Sequence, residues 1–145
     1  MRELRGPGAC AARLAIALLA GGLVAGCGSS EAEQLADDFV DRVFVRFDQR
    51  AGLELAHGRA RVALERELRL VGDVRGANTG VLREQPRVYY DRGTPSMTRD
   101  REGPVTVVPY EVTTRHEQGE IRRTVRVHVA RRAGRWRVVA YDTRE

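Results

Sequence analysis

The side chains able to do chemistry in this 145-residue chain are few and scattered. His57, His116 and His128 are its only histidines, and no two stand one helical turn apart, the spacing a helical metal-binding pair needs. His57 adjoins Gly58, His116 adjoins a turn, and His128 lies between two valines, so all three read as surface residues. Asp37, Asp38 and Asp41 crowd one stretch. A carboxylate there, tuned by burial at a cavity rim, would serve as a general base. Helical spacing sets Asp37 and Asp41 opposite Phe39 and Val43, and Asp38 near an exposed first turn, so these read as solvated charges. Tyr89, Tyr90, Tyr110, Tyr141 and Trp136 offer aromatic surface, and Tyr110 with Trp136 is the candidate pocket for an apolar ligand. The spacing yields no catalytic residue, no metal site and no cofactor motif.

Cysteine chemistry is confined to the N-terminal region, where Cys10 and Cys27 lie. Arg2, Arg5 and Arg13 make a positive start. Leu14 to Val24 is an apolar run, too short for a bilayer-spanning helix of about 20 residues but suited to a signal-peptide core. It ends in Leu23-Val24-Ala25-Gly26-Cys27, which resembles the bacterial lipobox: an aliphatic residue and two small residues before an invariant cysteine. The resemblance implies that residues 1–26 are a lipoprotein signal peptide. Val24, Ala25 and Gly26 would then enter the peptidase cleft, and the Cys27 thiol would become a thioether to diacylglycerol, with its freed amine acylated as well. Residues 27–30 become a lipidated cysteine and a short tether. No twin arginine is present, so ordinary Sec export is expected. Gly28, where an Asp would retain the protein in the inner membrane of enteric bacteria, favours the outer membrane facing the periplasm. Cys10 is lost with the signal, leaving Cys27 without a disulfide partner.

Composition fits a soluble domain, 42% hydrophobic and 31% charged. All 25 basic residues are arginine, which reads as a bias toward GC-rich codons. The net charge of +5 is mild, and part of it leaves with Arg2, Arg5 and Arg13, so nucleic acid is not an expected partner.

The elements that would position these residues fall in two halves. Leu35, Ala36, Phe39, Val40, Val43, Phe44 and Phe47 recur at helical spacing from Glu31 onward. Asp48 is placed to cap a second short helix through Ala51, Leu53 and Ala56. A third helix is expected from Arg59 to Leu70, with Val62 or Ala63, Leu64, Leu68 and Val71 inward, ended by Gly72-Asp73 and the stretch Gly76 to Gly80. The period then changes to two. Strands are expected at 87–90, 105–114, 121–130 and 135–141, the last three joined by hairpin turns, with a polar loop from Asp91 to Pro104. Residues 31–145 thus form one α+β domain: three N-terminal helices on a curved, mainly antiparallel sheet of about four strands.

If Val125, Val127 and Val129 face the helices, Arg122, Thr124, Arg126 and His128 face outward, and Arg135 and Arg137 join them beside Val139 and Tyr141. Arg122, Arg126, His128, Arg135 and Arg137 are therefore the candidate docking face, for an acidic envelope protein, a second copy or lipid phosphate.

The order of elements resembles the nuclear-transport-factor-2-like superfamily, a cone of three helices inside a curved sheet. The likeness rests on Phe39, Val43 and Phe47, the helical pair from Asp48 to Leu70, and the closing strand Arg135-Trp136-Arg137-Val138-Val139-Ala140-Tyr141. A cystatin-like helix-and-sheet domain is the runner-up. The superfamily contains enzymes and non-catalytic domains, so fold alone does not choose. With no catalytic pair matched, the expected function is an envelope lipoprotein with a non-catalytic binding or accessory domain for a protein partner or small apolar ligand. The alternative is a small cone-pocket isomerase, lyase or hydrolase.

Overall fold

A computed structural model of the chain describes residues 29–77 and 86–145. The lipobox, Cys27 and the Asn78–Gly80 part of the expected helix stop lie outside the described residues. Helix α1 (Glu31–Val40) starts at Ser30, whose hydroxyl accepts from the Glu33 amide while the Glu33 carboxylate accepts from the Ser30 amide. This reciprocal cap satisfies donors that the first turn would otherwise leave unpaired. The helix continues as a π-helical turn, Asp41–Val45, and the chain then reverses at Phe47, whose φ is 54°. Asp48 caps α2 (Gln49–Leu55) by accepting from the Ala51 amide.

Helix α3 spans Arg59–Ala77, so it passes through Gly72-Asp73 instead of stopping there. A glycine inside a helix costs only about 1 kcal/mol, too little by itself to end one. Leu64 is its fully buried anchor, while Val62 is 64% exposed and Ala63 only half-buried.

Five strands follow: β1 (Arg87–Arg92), β2 (Ser96–Asp100), β3 (Gly103–His116), β4 (Gly119–Arg132) and β5 (Arg135–Arg144). They form an open antiparallel sheet in the order β1-β3-β4-β5, with β2 also paired to β3. β1 lies along residues 110–115 of β3 and β2 along 103–107, so the two share one flank end to end. The segment 91–104, expected to be a loop, is thus mostly strand. All five residues of β2 are exposed, so no apolar alternation marks it. The β4–β5 turn carries Ala133 and Gly134 at φ 49° and 77°, the two positive values that a tight hairpin turn requires.

Three helices packed on this sheet make an α+β fold. Ala32, Ala36, Phe39, Val40 and Val43 of the first helical stretch meet Val108, Tyr110, Val112, Val125, Val127, Val129 and Val138 of the sheet, with Leu64 between. The valine triplet of β4 faces the helices, as its alternation implies. A register shift at His128/Val129 adds a residue to β5, pairing Val127 with Tyr141 and Val129 with Val138. Among the described residues no helix is long and apolar enough to cross a membrane.

Candidate functional site

The register shift changes the proposed docking face. Arg126 and His128 lie on the sheet surface away from the helices, half-buried, opposite Asp142 and Ala140 of β5. Tyr141, expected outward, is turned to the helix side: its ring lies 5.3 Å from that of Phe39 and 6.1 Å from that of Phe44, and its hydroxyl donates to Glu67 at 2.7 Å. The outward residue is its neighbour Asp142, which accepts from Arg126 at 2.9 and 3.0 Å and lies 3.4 Å from His128 Nε2. Burial opposes ionisation of Asp142, but the hydrogen bonds from Arg126 and His128 outweigh it and hold its pKa below the ordinary carboxylate range. Arg122 is occupied by Glu120 at 2.8 Å. Arg137 reaches over the sheet edge and donates to the Glu54 carbonyl at the C-terminus of α2, where helix carbonyls lack internal partners. Of the expected positive stripe, Arg122, Arg126, His128 and Arg137 are thus engaged within the fold, and Arg135 is the member without an ion pair or side-chain hydrogen bond among the described residues.

Tyr110 and Trp136 do not share a pocket. Tyr110 pairs with Val125 and Trp136 with Arg131, six positions along β4 or about 20 Å apart at strand rise. Trp136 lies at the start of α1, its indole Nε1 donating to Glu31 at 2.7 Å and its ring covered by the Arg131 guanidinium at 5.3 Å. Tyr110 is 1% exposed and belongs to the core.

A cluster on the helix side of the sheet was not foreseen. Tyr110 donates to one oxygen of Asp37 at 2.7 Å, and Arg92 donates to the other at 2.8 Å. Arg92 also contacts Glu33 at 3.5 Å and the Ser29 hydroxyl at 3.0 Å. Burial, and then the hydrogen bond to Asp37, raises the Tyr110 hydroxyl far above the usual phenol range. Tyr90 stacks edge-on against Tyr110 at 5.7 Å, and burial with the nearby Asp37 raises its pKa too. Asp37 is thus a clamp between α1 and the β1–β3 pair, not a free surface charge. The sequence signal available was the inward parity of Tyr90, Arg92 and Tyr110.

His57 and His116 are exposed; the His57 amide donates to the Val138 carbonyl, tying the α2–α3 link to the sheet edge. Among the described residues no three His, Cys, Asp or Glu side chains are grouped to hold a metal ion. An open groove of about 790 Å³ runs along α3 from Gly58 to Leu70, past Val62, Ala63, Arg66 and Glu67. Its carboxylate, Glu67, is already engaged by Tyr141. None of the family models, curated proteins or solved structures compared with the chain matches it.

Proposed function

We propose that the chain is a lipid-anchored lipoprotein of the bacterial cell envelope whose α+β domain is a non-catalytic binding or accessory domain. The observation that carries this reading is Val24-Ala25-Gly26-Cys27 behind a basic start and an apolar run, with the Ser30 cap of the first helix following directly. Two or more acyl chains on one residue give stable membrane attachment, at about 0.8 kcal/mol per buried methylene. The non-catalytic part is supported by the state of the acid–base groups. Asp37 has both oxygens engaged by Tyr110 and Arg92, and Phe39, Val40, Leu64 and the valines fill the space between helices and sheet. Outer-membrane residence facing the periplasm is part of the proposal.

The test is metabolic labelling with a fatty acid in a bacterial host, followed by fractionation. Wild-type chain should carry the label and sediment with membranes, while Cys27→Ser should lose both properties. Label retained by Cys27→Ser refutes the reading.

A further inference from the structure

The start of α1 and a group of arginines meet at one end of the sheet. Ser29, the first described residue, is two residues after Cys27 in the sequence, a stretch of chain no longer than about 8 Å. Ser29 is held by Arg92, and the first turn of α1 is held by Trp136 and Arg131 through Glu31. Trp136 and Arg131 flank the β4–β5 turn. The β2–β3 turn closes the same sheet end, because Arg132 of β4 bridges to both Asp100 and Glu102 with its side chain only 10% exposed.

That pairing consumes Arg132 and both turn carboxylates. Arg99, Arg101 and Arg135 remain exposed and without an ion pair among the described residues, and Arg131 is 63% exposed over the Trp136 ring with one 3.6 Å contact to Glu31. At the opposite sheet end Arg87 is likewise exposed and without an ion pair among the described residues, while its neighbours are paired. There Arg115 and Arg122 share Glu120, and Arg123 pairs with Glu145. Arginines without an ion pair among the described residues also lie on the helices, at Arg50, Arg59, Arg66 and Arg69, so what marks this end is its place beside the start of α1 and the Trp136 ring.

We propose that this end of the sheet, with Arg99, Arg101, Arg131 and Arg135 around Trp136, lies against anionic phospholipid headgroups of the leaflet that holds Cys27. The inference rests on the lipoprotein reading above. Guanidinium forks match phosphate oxygens, and a tryptophan with one polar edge suits the headgroup layer. Tethering at Cys27 keeps these side chains near the surface, inside or close to the Debye length of about 8–10 Å, where an anionic surface acts on them. The domain then rests on the membrane with a preferred orientation and presents the α3 side and the far sheet end to the periplasm.

Trp136 is the only tryptophan, so its fluorescence reports on this end alone. Full chain purified from membranes is reconstituted into phosphatidylcholine vesicles, with or without phosphatidylglycerol, carrying a nitroxide on the headgroup. Flotation reports anchoring and quenching of Trp136 reports orientation. Quenching should be stronger in anionic vesicles. High salt and the triple variant Arg99→Glu, Arg101→Glu, Arg135→Glu should abolish that difference without reducing flotation. The corresponding triple Lys variant should restore it, and circular dichroism checks that each variant is folded. Equal quenching in neutral and anionic vesicles, or no effect of charge reversal, with flotation intact, overturns the orientation and leaves the anchor standing. Failure of wild-type chain to float defeats the anchor and the orientation with it.

Discussion

Replacing Gly52 by alanine sets two opposed effects against each other, and the structure decides between them. In an ordinary helix this change gains about 0.8–1 kcal/mol, because glycine loses more backbone freedom on folding. Gly52 is buried in α2, and a Cβ built there would stand 2.5 Å from Val43 Cγ2 and 3.3 Å from Leu64 Cδ1. Neither neighbour has space to withdraw: Val43 is 3% exposed and Leu64 fully buried. Val43 is also β-branched and rotationally stiff in a helical segment. Overpacking a filled core costs about 1–3 kcal/mol, and a contact this short belongs in the upper part of that range. The expected outcome is a net destabilisation of about 1–2 kcal/mol for Gly52→Ala, read as a lower urea midpoint at unchanged m-value. Truncating Val43 to alanine removes the clashing atom, so the double variant should be more stable than the sum of the single effects by on the order of 1 kcal/mol. A Gly52→Ala protein more stable than wild type, or strictly additive single changes, would refute the close packing of α2 on the π-helical turn.

Other expectations follow from the polar contacts. Tyr110→Phe removes the donor to Asp37 and should cost about 1–2 kcal/mol, with a favourable coupling to Asp37→Asn in a double-mutant cycle; additive effects would mean the two groups do not interact. Asp142 is more acidic folded than its ordinary 3.8, so its stabilisation is present above that value and fades as pH falls through the lower folded pKa. Asp142→Asn should therefore flatten the loss of urea resistance in acid, and an unchanged acid limb would count against the Arg126–Asp142–His128 group. Burial, and then the bonds to Asp37 and Glu67, raises the Tyr110 and Tyr141 hydroxyls above their ordinary 10.0. Their neutral forms stabilise the fold fully below pH 10.0, and that contribution is lost as pH rises through the raised values. Phenolate absorbance should accordingly show these two of the four tyrosines ionising only with unfolding; complete titration under native circular dichroism would contradict their burial.

The parts of the fold legible in the sequence are those where one apolar face repeats. Phe39, Val40 and Val43 announce the first helix, and Val125, Val127 and Val129 announce the inward face of β4. What escaped has no such repeat. β2 has no buried face, and α3 runs past Gly72 because one glycine costs a helix only about 1 kcal/mol, too little to end it. The extra residue in β5 reverses the facing of Tyr141 and Asp142, and one insertion in a period-two pattern is invisible until the strand is paired. That shift accounts for most of the error in the outward face: it hid the carboxylate that neutralises Arg126. The Asp37 clamp escaped for a related reason. Its partners Tyr110 and Arg92 lie more than fifty residues away, and helical spacing alone shows only which side of α1 a carboxylate leaves from.

The most direct test of the lipoprotein reading is the intact mass of the chain extracted from membranes, with fragmentation of its first residues. The expected species begins at Cys27, lacks residues 1–26 and carries diacylglycerol on the thiol, with a further acyl group on the amine. A chain that retains residues 1–26, or one that begins at Cys27 or beyond without lipid, contradicts it.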